Sequence, residues 1–130
     1  MKKVLFVIGA RPNYIKSLPL IIKLRKSKKI KSFVLHSGQH YDDEMFSDFL
    51  KKIRFPKIDF QLKIPKKIKS SSARMAVLMK NFKFFFSKYK FDAVIVFGDV
   101  NTTVAASLNA KKFNLPLFHV ESGLRSFDPR

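Results

Sequence analysis

The chain contains no cysteine, which excludes disulfide bonds and thiol chemistry. No apolar run approaches the roughly 18 residues that a membrane-spanning helix requires. The amino terminus also lacks an export-signal pattern, because its apolar run at Val4–Ala10 is interrupted at once by Arg11. Together these absences favour a cytoplasmic protein with no membrane span.

Acidic residues are scarce, with nine Asp and Glu against 27 Lys and Arg, and the formal net charge is +18. Such a charge is typical of proteins that bind nucleic acid or anionic membranes. The lysines are nevertheless spread over every predicted element, and no known nucleic-acid module or basic block with interleaved aromatics is present. We therefore interpret lysine as a general surface residue and expect no nucleic-acid partner.

What is present is the composition of one globular domain: 130 residues, of which 46% are apolar and 28% charged. The runs Lys3–Ile8 and Ala93–Phe97 read as strands buried on both faces, which is typical of parallel sheets. Further strands are predicted at Lys31–His36 and Asn114–Val120, with a short edge strand at Ile58–Leu62. Helical patterns separate these strands, so the sequence predicts an α/β fold.

The helical patterns carry expectations about caps and buried faces. Ser70–Ser72 can cap the third helix, and one of Asn101, Thr102 or Thr103 can cap the fourth. Apolar residues at helical spacing are expected to face inward on the second and fourth helices: Met45, Phe46, Phe49, Leu50 and Ile53 on the second, and Val104, Ala105 and Leu108 on the fourth.

Charged residues follow three of the predicted strands. Arg11 and Lys16 come after the first strand, Asp99 after the fourth, and Glu121 and Arg125 after the last. Because the carboxyl ends of parallel strands meet at one edge, we expect these residues to lie at that edge. Two carboxylates with cationic neighbours can act as acid and base. Cations beside a helix amino terminus can hold phosphate, although the same cations can equally be ordinary surface residues.

Two other kinds of site find no support. The loop after the first strand lacks G-x-G-x-x-G, the fingerprint of dinucleotide binding. His40 is a lone loop histidine, and no second ligand is suitably spaced for a metal ion, so we expect no metal site.

Four segments resemble, in order, motifs of the non-hydrolysing UDP-N-acetylglucosamine 2-epimerases. They are Gly9–Lys16 (GARPNYIK), Ser37–Asp42 (SGQHYD), Gly98–Thr103 (GDVNTT) and His119–Asp128 (HVESGLRSFD). The resemblance covers the whole chain but only roughly the first third of a family member. It implies a three-layer Rossmann-like parallel sheet of strand order 3-2-1-4-5, one half of a two-domain glycosyltransferase-B-like fold. We expect residues 1–130 to be the amino-terminal domain, incomplete at its C-terminal end, with the UDP-binding second domain absent.

The resemblance also implies a reaction. The family inverts C2 of the sugar without a cofactor, by eliminating UDP to give a 2-acetamidoglucal and then adding UDP back. By motif position Asp99 and Glu121 are the catalytic carboxylates, and the substrate or UDP side is contacted by Arg11, Lys16, Gln39, His40 and Arg125. The resemblance further implies bacterial surface polysaccharide biosynthesis, a homodimer in the full-length protein, and no activity for the fragment alone.

Two alternatives remain open at this point. The same motifs occur in 2-epimerases of a UDP-2,3-diacetamido-2,3-dideoxy uronic acid, and the residues that read the sugar are not all within the chain. From another class, the +18 charge is also compatible with a non-catalytic basic nucleic-acid-binding module.

Overall fold

The computed structural model describes residues 1–38 and 43–123, in which strands and helices alternate. In chain order the elements are β1 (Lys2–Ile8), α1 (Arg11–Arg25), β2 (Ile30–His36), α2 (Asp43–Lys52), β3 (Phe60–Gln61), α3 (Ser71–Lys88), β4 (Ala93–Phe97), α4 (Asn101–Lys112) and β5 (Leu117–Val120). No helix in this part of the chain is long and apolar enough to cross a membrane.

The strands form a sheet of order β3-β2-β1-β4-β5 in which every pairing is parallel. Helices α1 and α2 cover one face of the sheet, and α3 and α4 cover the other. This is a three-layer Rossmann-like fold, and the expected strand order is confirmed. β1 lies at the centre, which explains why its apolar run is unbroken.

The central strands divide their side chains between two cores. Val4, Phe6 and Ile8 of β1 point into the core under α1 and α2, while Leu5 and Val7 point into the core under α3 and α4. β4 alternates in the same way, as the parallel register with β1 requires. The prediction that both strands are buried on both faces is therefore confirmed.

Of the two cap predictions, one is confirmed and one is wrong. Ser70 caps α3, and its hydroxyl accepts a hydrogen bond from the Ala73 amide at 3.4 Å. The N-cap of α4 is instead Val100, with no side-chain cap. The hydroxyls expected there form tertiary bonds, because Thr103 Oγ1 donates to the Phe97 carbonyl at 2.6 Å and Thr102 Oγ1 lies 2.7 Å from Ser37 Oγ.

The inward face predicted for α4 is also largely wrong. Val104 and Leu108 are 44% and 49% exposed, and of the three residues expected inside only Ala105 is buried. The buried apolar residues of α4 are alanines, since small side chains let this helix approach the sheet and α3 closely. On α2 the expected apolar face packs against its core, except for Met45, which is 60% exposed.

The two outer strands are shorter than expected. β3 is confined to Phe60–Gln61, and β5 begins at Leu117 rather than Asn114. Asn114 has a left-handed φ of 56°, so the chain turns there after α4 and cannot yet be extended strand.

Candidate active site

The candidate site lies at the carboxyl edge of the sheet, after three strands that are neighbours in space. β4 is flanked by β1 and β5, so the segments that follow these strands emerge side by side. They carry Arg11 and Lys16 on α1, Asp99 in the turn before α4, and Glu121 directly after β5. The structure therefore brings four of the predicted site residues to one edge of the sheet.

Lys16 and Glu121 form an ion pair across this edge. Lys16 Nζ lies 2.7 Å from Glu121 Oε2, although the two residues are 105 positions apart in the sequence. Their side chains are 42% and 28% exposed, so the pair is open to solvent on one side. A cation after the first strand and a carboxylate after the last thus meet where a ligand can reach both.

Glu121 has an unusual backbone conformation. Its φ is 69°, in the left-handed region that glycine adopts readily and other residues adopt at a cost. Residues in this region cost on the order of 1–3 kcal/mol and occur often at functional sites. The conformation places the carboxylate immediately beyond β5, where it reaches Lys16.

Asp99 is exposed in the turn between β4 and α4. The turn begins at Gly98, whose φ of 66° suits glycine. β5 holds Gly98 twice: the Gly98 amide donates to the Val120 carbonyl at 3.1 Å, and the His119 ring bonds the Gly98 carbonyl. The exposed aspartate is therefore carried by an anchored turn.

Arg11 occupies the first turn of α1 and leans toward α2. Its guanidinium lies 5.0 Å from the centroid of the Phe49 ring, a cation–π contact. The helix begins with no side-chain cap at Ala10. Pro12 carries no N–H, and the Asn13 amide donates to the Ala10 carbonyl at 3.0 Å, so a phosphate here would depend mainly on the Arg11 and Lys16 side chains. Arg11 and Lys16 have different partners in this structure, and their convergence on one phosphate remains a prediction.

A layer of buried polar residues supports the site, and sequence reasoning did not single it out. Tyr14 and His36 are fully buried, and the Tyr14 hydroxyl and His36 Nδ1 share a hydrogen bond. Ser37 and Thr102, also buried, share the hydroxyl–hydroxyl bond that joins the end of β2 to α4. The available signal was position, since three of the four lie within the recognised motif segments and His36 directly precedes one.

His36 is held neutral. Burial lowers the pKa of His36 from 6.5 to about 4, because an imidazolium would lose its hydration inside the core. In either neutral tautomer Nδ1 can form a hydrogen bond with the Tyr14 hydroxyl, and these two groups are in contact. This pair ties the first turns of α1 to the end of β2.

Three predicted site residues, Gln39, His40 and Arg125, lie outside the residues that the structure describes. Within residues 1–38 and 43–123 there is no group of three or more His, Cys, Asp or Glu side chains arranged to hold a metal ion.

The chain resembles known proteins over almost its whole length. It is 36% identical over 126 residues to a UDP-N-acetylglucosamine 2-epimerase homolog of Methanococcus maripaludis, covering 97% of this chain and 34% of that protein. It is 35% identical over 129 residues to a UDP-2,3-diacetamido-2,3-dideoxy-D-glucuronate 2-epimerase of Pseudomonas aeruginosa, covering 98% and 36%.

A solved structure gives the same match in three dimensions. The Methanocaldococcus jannaschii UDP-GlcNAc 2-epimerase, in complex with UDP-GlcNAc and UDP, superposes with a TM-score of 0.87 at 33% identity, covering 97% of this chain and 34% of that one. The chain thus spans about a third of the length of these relatives. The family model for UDP-N-acetylglucosamine 2-epimerase matches residues 22–130. The chain therefore belongs to the UDP-N-acetylglucosamine 2-epimerase family.

Proposed function

We propose that this chain supplies one wall of the active site of a UDP-N-acetylglucosamine 2-epimerase, which interconverts UDP-N-acetylglucosamine and UDP-N-acetylmannosamine. The observation that carries the proposal is the Lys16–Glu121 ion pair, which joins a proposed phosphate ligand to a proposed catalytic carboxylate at the sheet edge. The jannaschii relative, which holds UDP-GlcNAc and UDP, supports the choice of substrate.

The chemistry requires groups of the kinds found here. A base removes the proton from C2 while the bond between C1 and the UDP oxygen breaks, giving UDP and a 2-acetamidoglucal. UDP then returns to C1, and an acid delivers a proton to the opposite face of C2. Asp99 and Glu121 are the proposed carboxylates for these two proton transfers. Lys16 and Arg11 are proposed to stabilise the negative charge on the departing diphosphate.

The remaining parts of the proposal rest on the family resemblance. Residues 1–130 are the amino-terminal Rossmann-like domain of a two-domain glycosyltransferase-B-like protein, whose second domain holds most of the UDP contacts. Gln39, His40 and Arg125 contribute to the substrate or UDP side. The whole protein is a cytoplasmic homodimer without a cofactor, and it serves bacterial surface polysaccharide biosynthesis.

A second candidate substrate is a UDP-2,3-diacetamido-2,3-dideoxy uronic acid. The observation in its favour is the 35% identity to the Pseudomonas enzyme named for that sugar, which is close to the identity with the N-acetylglucosamine relatives. Both substrates carry the diphosphate at C1 and a proton at C2, so the proposed roles of Lys16, Asp99 and Glu121 are the same for both.

The test is a chimera in which this chain replaces the matching third of the jannaschii relative. We expect the chimera to epimerise UDP-N-acetylglucosamine. Lys16→Ala should lower kcat/KM, because Lys16 is proposed to stabilise the negative charge on the diphosphate as it departs. The unmodified relative serves as the control. A folded chimera that turns over neither UDP-sugar would contradict the proposal, and turnover of the uronic acid alone would select the second candidate.

A further inference from the structure

We propose that His119 is a positioning residue for Asp99, because its Nε2–H fixes the peptide plane between Gly98 and Asp99. The relevance of this device to catalysis rests on the proposed function, in which Asp99 is a catalytic carboxylate. The geometry of the device does not depend on that function and can be tested without substrate.

The first step is the hydrogen bond itself. His119 Nε2 lies 2.5 Å from the Gly98 carbonyl oxygen, although the ring is exposed. A carbonyl oxygen can only accept a hydrogen bond, so Nε2 must carry a proton. The neutral ring is therefore the Nε2–H tautomer. The imidazolium form also carries this proton, so the contact persists when the ring is protonated.

The second step is the effect on the turn. In a planar trans peptide the carbonyl and the following N–H point in opposite directions. Fixing the Gly98 oxygen therefore fixes the direction of the Asp99 N–H, and with it the start of the Asp99 backbone. Without the hydrogen bond from His119, the glycine backbone has several accessible conformations at this turn. A Cβ placed at Gly98 would have Asn13 Oδ1, 3.5 Å away, as its nearest neighbour, so no side chain is packed tightly against this glycine.

The third step concerns β5, the strand that carries His119. His119 lies on β5 opposite Val96 of β4, and the Val120 carbonyl of β5 accepts a hydrogen bond from the Gly98 amide. Glu121 is the residue directly after this strand. One short strand thus holds the Asp99 turn through two hydrogen bonds and leads directly to Glu121. The spacing of the two proposed catalytic carboxylates is set by β5.

The test is NMR spectroscopy of the 130-residue chain. In the wild-type chain, long-range ¹H–¹⁵N spectra are expected to show the neutral His119 ring protonated at Nε2. In His119→Leu we expect the Gly98 and Asp99 amide signals to shift. The Gly98 amide itself donates to the Val120 carbonyl, and its exchange should accelerate by up to about tenfold, because opening the turn no longer requires breaking the His119 hydrogen bond as well. In His119→Gln the side-chain amide can donate in place of the ring, and wild-type behaviour is expected.

Phe118→Leu, at an exposed neighbouring position on β5, is the matched control and should leave both amides unchanged. A neutral ring protonated at Nδ1 would overturn the proposal, and this measurement needs no variant to fold. Unchanged Gly98 and Asp99 signals in His119→Leu, or equal perturbation in the Gln and Leu variants, would overturn it as well. None of these outcomes depends on epimerase activity, so a failure here is distinguishable from a failure of the proposed function.

Discussion

At the scale of single residues, the ion pair at the sheet edge contributes more to the site than to stability. Lys16 and Glu121 are both partly exposed, and such pairs contribute about 0–1 kcal/mol to the free energy of unfolding. The left-handed φ of Glu121 costs at least as much. Neither the backbone conformation of Glu121 nor its ion pair therefore gives a net gain in stability, which agrees with the proposed catalytic role.

Glu121→Gln should therefore separate activity from stability. We expect the free energy of unfolding to change by less than about 1 kcal/mol, measured by urea denaturation of the chain. In the chimera the same substitution, like Asp99→Asn, should lower kcat by roughly two orders of magnitude or more, because an acid–base group is lost. A folded variant whose kcat stays within a few-fold of the parent chimera would show that the role is misassigned.

His36 should make stability depend on pH. Its pKa is about 4 in the folded chain and near 6.5 when unfolded, so between these values the unfolded chain binds more protons. The free energy of unfolding is then unaffected by His36 above pH 6.5 and falls as pH drops from 6.5 to 4, by roughly 3 kcal/mol in total. Denaturant unfolding at a series of pH values measures this slope. His36→Asn, which keeps a side chain that can hydrogen-bond with Tyr14 but cannot titrate, should flatten this slope. An equal slope in both proteins would refute the assignment.

At the scale of elements, the β1–α1 connection is packed tightly against the start of α4. A side chain at Gly9 would place its Cβ 2.6 Å from Thr102 Cβ and 3.1 Å from Ser37 Oγ. The glycine therefore permits the close approach that lets Ser37 and Thr102 share their hydrogen bond. Three segments of the candidate site meet at this point.

Gly9→Ala should accordingly destabilise the chain. Overpacking of a tight site costs about 1–3 kcal/mol, and here the clash is with a buried side chain on a helix rather than a flexible tip. Gly123→Ala is the matched control, since nothing lies within 4 Å of a Cβ at that position. Thermal unfolding of both variants measures the difference in stability. Equal unfolding midpoints would mean that the chain can accommodate a Cβ at Gly9 without a clash.

At the scale of the whole molecule, the few acidic residues are distributed unevenly over the surface. Neither α3 nor α4 contains an acidic residue, and the ion pairs found among the described residues all lie elsewhere. The face covered by these helices is therefore basic. The proposed nucleotide site lies at the carboxyl edge of the sheet, so the two features can be tested separately.

Binding to nucleic acid should behave as unspecific charge attraction. We expect association with a random DNA duplex to weaken by at least about 100-fold between roughly 50 and 200 mM salt, because counterion release dominates such binding. Fluorescence anisotropy at two salt concentrations measures this. Tight, sequence-dependent binding that survives the higher salt would instead favour the nucleic-acid-binding alternative.

The 130-residue chain alone should not epimerise UDP-N-acetylglucosamine. The reaction must hold UDP and the glucal together between elimination and return, which requires an enclosed cleft from which water is excluded. In the proposed function a second domain closes that cleft, and this chain covers about a third of the length of its relatives. Incubation in deuterium oxide with NMR detection of the C2 proton measures the reaction. Exchange at C2 above the buffer rate would contradict the two-domain mechanism.

The sequence by itself determined the order of the helices and strands and which site residues lie at the carboxyl edge of the sheet. The unbroken apolar runs of β1 and β4 predicted strands buried on both faces, because only central parallel strands have no polar side. Once the strands were parallel, Lys16, Asp99 and Glu121 had to follow them at one edge. These inferences need only local patterns and one rule of topology, and the motif resemblance supplied the strand order.

The tertiary structure decided which groups meet. Lys16 pairs with Glu121, which is 105 residues away in the sequence, and Glu121 has a left-handed φ. Both features depend on the pairing of β5 with β4, which places Glu121 near α1. The same holds for α4, where Thr102 and Thr103 bond to Ser37 and Phe97 instead of capping the helix. A hydroxyl takes the partner that the fold brings within reach, and local sequence does not encode that distance.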